Sequence, residues 1–524
     1  MTTRHPTLLY CLTALIAVLV FIAAGTITVA ALGAATTTRV SVAPDGSDGD
    51  NNSAGAEISA DGRFVAFHSR AGNLVSNDTD TCSHSFDANC LDVFVKDRQT
   101  GEMTNVSVAT DGTEGNKGSF GPSLSADGRY VAFFSEATTL VSGDTNEEHD
   151  VFVHDRDTRE TTRVSVASDG SQADGGPTFN GYEHPVISGD GRYVAFNSIA
   201  TNLVTSDTNE AVDVFLHDRE TAQTIRVSVA SDGTEANGAA YSPSISHDGR
   251  YIAYMSYATN LVSDDTNTFC GDAGNENCPD VFVYDRVTRE TTRVSVASDG
   301  MEADGHSTRP LISGDGQLVV FTSSAGNLSG REFPTTFDAF IHNRATGETE
   351  VVTHIVASDE GAQGATVTDI SPDGRFVVFH TERRMAEEDT SGCSFSSPPY
   401  CADVYLRDLQ AAYNDFTRVS VATDGTQGDE LSIEGTVSGD GRYVAFESLA
   451  TTLVGDDTNN VCGGTEDENC RDVFLRDRGE EVPTAVTGSG VSANPDGSRF
   501  GMLAAGGLIA LGVAGLWVRR RYTR

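Results

Sequence analysis

The stretch SGDGRYVAFNSIATNLVTSDTNEAVDVFLHDRETAQTIRVSVA, residues 188–230, holds a pattern that returns seven times along the chain. Its opening phrase recurs as SADGRFVAF (59–67), SADGRYVAF (125–133), SHDGRYIAY (246–254), SGDGQLVVF (313–321), SPDGRFVVF (371–379) and SGDGRYVAF (438–446). The phrase that begins at Asp213 recurs from Asp92, Asp150, Asp280, Asp338, Asp403 and Asp472. RVSVA or a relative begins at Arg39, Asn105, Arg163, Arg226, Arg293, Val351 and Arg418. Such a repeat is one supersecondary unit that must bury its apolar face on a neighbouring copy.

Each unit reads as four short strands. The first ends in Ile-Ser or Leu-Ser, and an Asp-Gly turn, expected to supply the positive φ angles of a tight hairpin, joins it to RYVAF. DVFVHDR makes the third strand and TTRVSV the fourth. RYVAF is apolar at nearly every position, as strands are when both faces of a sheet are covered. Seven such sheets stacked face to face make an all-β, seven-bladed propeller over 36–478. One phrase is displaced: an RVSV at 39–42 precedes the first blade, while the last DVFLRDR at 472–478 has none after it. The N-terminal strand is therefore expected to complete blade seven and clasp the ring.

The S-x-D-G-R-Y-V-A-F phrase followed by D-V-F-V-x-D resembles the repeat of TolB-type propellers, a branch of the WD-repeat-like group, over residues 37–478. The resemblance implies the blade and says little about function, because unrelated proteins share that repeat. TolB adds an α/β domain that is not expected here, so its envelope role is not carried over. Propeller-bearing serine peptidases look similar but append a hydrolase domain with a G-x-S-x-G elbow, a motif this sequence lacks.

The 524 residues include 76 acidic and 35 basic side chains, a formal charge of −41. All the acids lie between residues 36 and 499, whereas Arg4, Arg519, Arg520, Arg521 and Arg524 sit at the ends, so the body is more acidic still. Such a field repels nucleic acid and anionic lipid and favours cations or basic partners. The ends read as targeting segments. An apolar run from Leu8 to about Ala35, behind Arg4, is expected to be a signal peptide (1–35). Residues 479–499 have linker composition, and 500–518 is uncharged and long enough to be a transmembrane helix. The basic tail at 519–524 would stay cytoplasmic by the positive-inside rule. The expectation is a single-pass protein of the cell membrane with a monomeric propeller outside the cytoplasm.

Eight of nine cysteines form pairs of C-x₇-C spacing: Cys82/Cys90, Cys270/Cys278, Cys393/Cys401 and Cys462/Cys470. Each pair lies in an insertion ahead of a third strand. Local disulfides are the expected reading for an exported chain.

The loop between second and third strands carries DTN or a variant in most blades. Asp144, Asn146 and Asp150 in blade 2, and Asp207, Asn209 and Asp213 in blade 3, present oxygens at a spacing that would suit calcium, the one cofactor considered. The same residues also suit Asx-turns. Glu183, His184, His306 and Arg309 depart from the repeat near their first strands and are candidates to line the central channel. With no recognisable nucleophile–base pair, no catalytic residue is assigned. The expected function is a surface-anchored binding or scaffolding module for a protein, glycan or cation, not an enzyme. The alternative is a glycan-active hydrolase or lyase with its site at the channel mouth.

Overall fold

The computed structural model describes residues 34–479 except 77, 79–89, 179–183, 268–277, 330–336, 354–363, 383–384, 386–401, 412–414, 456 and 458–469. Among them 28 strands form seven four-stranded antiparallel sheets, the blades of a propeller. Blade 3 is typical in order: Val186–Ile187, Tyr193–Ser198, Asp213–Asp218 and Gln223–Arg226. In blade 7 the strands Ser432–Val437, Tyr443–Ser448 and Asp472–Asp477 are joined by Thr36–Arg39, which pairs with the last of them from Thr36↔Asp477 to Arg39↔Phe474.

The apolar RYVAF run is explained by burial on both faces: Val194, Ala195 and Phe196 are wholly inaccessible. One face packs on blade 2 through Ala132, Phe134 and Val153, where Val194 and Phe196 join the same cluster. Directly opposed aromatics recur at the centre of each blade, as in Phe196 and Phe215, 6.1 Å apart. Such pairs contribute about 0.5–1.5 kcal/mol beyond burial.

The turn works differently from expectation. Only its glycine takes a positive φ (Gly191, 73°); the aspartate acts as an acceptor instead. Asp190 Oδ1 receives Ser188 Oγ at 2.5 Å and the Arg192 amide at 3.0 Å, while Ser188 Oγ receives the Tyr193 amide at 2.9 Å. The glycine also fits against the preceding blade: a Cβ at Gly191 would lie 2.1 Å from the Tyr130 ring. Arg219 also lies over that ring, 4.3 Å from its centroid, and donates to the Gly191 carbonyl. The same staple joins blade 7 to blade 1, with Gly62 and Arg98 on Tyr443. Backbone bonds between turns follow suit, Ala126 to Gly189 (3.0 Å) at one seam and Gly439 to Ala60 (2.8 Å) at that between blades 7 and 1.

Among the described residues no helix is long and apolar enough to cross a membrane. The expected span at 500–518 and nearly all of the expected signal peptide lie outside the described residues.

Candidate functional site

The first strands of the blades line a central channel with a cavity of about 410 Å³. At the third position of these strands the ladder slips in blades 1, 2, 4, 5 and 7. The residue there turns left-handed: Gly55, Gly121, Ser242 (φ 52°), Arg309 (51°) and Glu434 (49°). A bulge re-aims a side chain. For a non-glycine residue this conformation costs roughly 1–2 kcal/mol and persists only where the surroundings hold it. Arg309 and Glu434 use the bulge to meet across blade 6, Nη1 to Oε1 at 3.1 Å, each about a quarter exposed (27% and 26%).

Two histidines, His184 and His380, stand close enough to act on the pair, and a third, His68, lies farther round the channel beside His184. Burial would raise the Glu434 carboxyl, but Arg309, His380 and His184 hold it below the usual glutamate range. Burial depresses the imidazoles of His184 and His380. His68 lies against Gly55 and accepts the Gly121 amide at 3.4 Å. Burial, then the charges of Arg471 and Arg70, lower it to about 4. Glu447 is 3% exposed, and its Oε2 has no hydrogen-bond partner; Arg471 Nη1 stands 3.6 Å away. Burial pushes that carboxyl up to about 7 against the pull of Arg471.

Nearer the Asp-Gly turns, position five carries Glu57 in blade 1 and Asp369 in blade 6. Asp369 accepts the Val437 and Ile370 amides, both at 2.7 Å. Ser123 and Ser244 hold the same place in blades 2 and 4, each accepting an amide of the next blade. Glu57 makes no side-chain hydrogen bond among the described residues. Burial raises its carboxyl well above the ordinary value, and the Asp369 carboxylate adds to this. Burial likewise pushes Asp369 up to about 7.

Of the expected channel residues, His184 lines the cavity and Arg309 reaches it through Glu434. His306 does not line it: it precedes its strand, at the rim, where its backbone pairs with Ser324. Glu183 lies outside the described residues. Glu57, His68, Asp369, His380, Glu434, Glu447 and Arg471 were not anticipated. A signal existed for three of them. The residue after VAF or its equivalent is His68, Phe134, Asn197, Met255, Thr322, His380 and Glu447 in the seven copies, while its neighbours barely change.

In the DTN loops the cation present is a guanidinium. Arg163 Nη1 sits 3.4 Å from Asp144 and 3.1 Å from Asp150. Arg226 Nη1 sits 3.5 Å from Asp207, 3.1 Å from Asp213, and also contacts Glu235. Asn146 and Asn209 bond the backbone: their amides donate to Ala173 and Ala236, and their Oδ1 atoms accept the amides of Glu148 and Ala211. All six residues expected to hold calcium thus have internal partners.

Cys90, Cys278 and Cys470 are buried and each is disulfide-bonded. Cys82, Cys270, Cys393, Cys401 and Cys462 lie outside the described residues.

No protein-family model matches the sequence, and no curated protein does either. Among solved structures the chain is similar to TolB from Acinetobacter baumannii, with a TM-score of 0.33 and 15% identity over 61% of this chain and 57% of that one. It is also similar to oligogalacturonate lyase from Vibrio parahaemolyticus (TM-score 0.45, 12% identity, 85% of this chain and 90% of that). The propeller domain of the Trilobed protease from Pyrococcus furiosus gives a TM-score of 0.45 at 10% identity over 81% and 95%. Likenesses this remote carry no function. By its own repeat and sheets, the chain is a seven-bladed β-propeller of four-stranded blades.

Proposed function

We propose that the protein is a binding module held at the cell surface, with a ligand that enters the channel from the loop-bearing rim and meets the Arg309–Glu434 pair. The pair itself carries this reading. The fold does not require charge there, since blades 1 and 2 place glycine at the same position. Two blades nevertheless hold strained residues so that a fork of donors and a carboxylate face one another. Because Thr36 pairs with Asp477, both ends of the propeller emerge at the turn-bearing rim. A tether at either end would attach there and leave the loop-bearing rim open to a protein or glycan. The test is a screen of the purified protein against glycans and cell-surface extracts, with Arg309→Ala and Glu434→Gln in parallel. At least one ligand should bind tenfold or more weakly to both variants. A screen whose every ligand binds both variants as it binds the parent refutes the reading.

One observation favours the alternative of a glycan-active hydrolase or lyase. Glu447 is pushed up to about 7 while Glu434 is held below its usual range, so one channel presents a carboxyl that titrates near neutral pH and another that is ionised there. Environments that separate two carboxyls in this way suit general acid and base roles. Turnover of a polysaccharide panel that is lost in Glu447→Gln would establish it in place of simple binding.

A further inference from the structure

We infer that the channel takes a small organic cation, an amine with a hydrocarbon body, whose ammonium group lies against the carboxyl groups of blades 6, 7 and 1. This rests on the channel being the ligand site, as proposed above.

The first ground is how the chain treats its other buried carboxylates, most of which meet a guanidinium, while Asp92 accepts Ser107 Oγ at 2.5 Å. At the start of the third strands, Asp150 is paired with Arg163 and Asp213 with Arg226 at 3.1 Å, Asp280 with Arg293 at 3.7 Å, and Asp472 with Arg39 at 3.3 Å. Glu57 and Asp369 share the channel wall and form no ion pair among the described residues. A buried carboxylate without a positive partner is costly. The second ground is Glu447, which lines the same channel, nearly inaccessible, with Oε2 lacking any hydrogen bond. Arg471 Nη1 stands 3.6 Å from that oxygen, an ion-pair contact longer than a hydrogen bond, so the acceptor can still take a donor from the cavity.

The third ground is the opposite wall. Blades 3, 4 and 5 present Val186, Ile187, Ile245, Leu311 and Ile312 to the cavity, with His184, Ser244 and His247 as their polar side chains. The cations of the acidic half, Arg309 and Arg471, stand against Glu434 and Glu447, so Glu57 and Asp369 are left without one, and the opposite wall is largely hydrocarbon. A primary ammonium has three donors and no acceptor, and remains charged near neutral pH. Its alkyl chain would gain from the apolar half at roughly 25 cal/mol per Å² buried. A bare metal ion would gain nothing there, and the cavity of about 410 Å³ is of the size that holds a small organic molecule.

The experiment is calorimetric titration of the purified full-length chain at pH 8 with n-pentylamine, 1-pentanol and calcium chloride, at constant ionic strength. Pentylamine should bind saturably and at least tenfold more tightly than pentanol, and Glu57→Gln should weaken it at least tenfold. That variant loses no described hydrogen bond; should it fail to fold, Glu447→Gln carries the same expectation. Equal binding of pentanol would show a merely apolar cavity, tighter binding of calcium a metal site, and unchanged affinity in a folded variant the wrong carboxyls. Each overturns the inference. If pentylamine does not bind while Arg309-dependent ligands do, this inference alone falls. If neither binds, the reading of the channel as a binding site falls with it.

Discussion

Replacing Arg226 by alanine separates the two ways in which the acidic loops of blade 3 can be neutralised. The Arg226 side chain is 6% exposed, and the Asp207 and Asp213 side chains are 3% and 0% exposed. Besides the carboxylates, Nη2 donates to the Ser206 carbonyl at 2.8 Å. Asp207, Asp213 and Glu235 offer oxygens that all lie within 4.8 Å of one another. Removing one member of a buried ion pair costs about 3–5 kcal/mol, because the opposing charge stays buried. With three carboxylates left, Arg226→Ala should fall at the upper end of that range at neutral pH.

The pH dependence has a definite sign. Burial, then the Asp213 carboxylate, already pushes Asp207 up to about 6 despite Arg226. Without the guanidinium the cluster binds protons more tightly in the folded state than in the unfolded one. The variant's deficit should therefore be smallest below about pH 4 and grow as pH rises through 6. Calcium supplies the second half of the test, since the variant leaves a set of hard oxygens with no cation. In the parent, urea denaturation should coincide in calcium and in sodium at equal ionic strength. In Arg226→Ala, calcium at 100 times its dissociation constant should restore about 2.7 kcal/mol. Specific stabilisation of the parent by calcium, or a cost below about 1 kcal/mol for the variant in chelator, would refute the assignment of Arg226 as the resident cation.

Four further outcomes are expected. Arg39→Ala, which removes a buried guanidinium shared by Asp48, Asp457 and Asp472, should cost about 3–5 kcal/mol in urea; a near-neutral effect would mean that the N-terminal strand is not part of the cooperative fold. Peptide mapping without reductant should find the links 82–90, 270–278, 393–401 and 462–470, and a link between blades would contradict local pairing. Gly170→Ala, with nothing within 4 Å of the new Cβ, should cost only the roughly 1–2 kcal/mol of left-handed backbone, whereas Gly191→Ala, aimed at the Tyr130 ring, should cost about 1–3 kcal/mol more; equal costs would dissolve the interblade staple. Glu447→Gln should gain stability over the parent as pH rises from 5 to 8, because a carboxyl pushed up to about 7 loses its contribution across that window; a difference that does not change with pH would show that Glu447 is ionised throughout.

The fold was legible because seven copies state it redundantly, and the displaced RVSV at 39–42 pointed to the strand that pairs with Asp472–Asp477. What escaped were features that need two distant residues at once. The contacts of Asp144 and Asp150 with Arg163 were not foreseen because Arg163 belongs to the next strand's phrase. The turn aspartate looked like a positive-φ residue because its bonds to Ser188 and to the Arg192 amide depend on the turn's shape. His68, His380 and Glu447 were hidden for a simpler reason. The apolar run ends at the aromatic residue, and the next side chain, which lines the cavity as His68 and Glu447 and neighbours Glu434 as His380, falls just past the recognisable phrase.

That placement says where function can reside in a repeated fold. A ring of identical blades would set seven copies of one side chain around the axis, and like charges there would repel at short range with little water to screen them. Useful chemistry in such a channel therefore has to come from the places where the copies disagree. Here the disagreement is lopsided. Asp369, Glu434, Glu447, Arg471, Glu57 and His68 line the cavity from three consecutive blades, 6, 7 and 1, while blades 3 to 5 supply mostly aliphatic groups, with His184 and His247 among them. Arg309 comes from the same side, and its left-handed backbone carries it over to the acidic side to meet Glu434. Stability alone would not segregate charge in this way, since pairing each carboxylate within its own blade, as Arg163 does with Asp150, satisfies the fold at lower cost. A sided channel fits a sided ligand, polar and cationic at one end and apolar at the other.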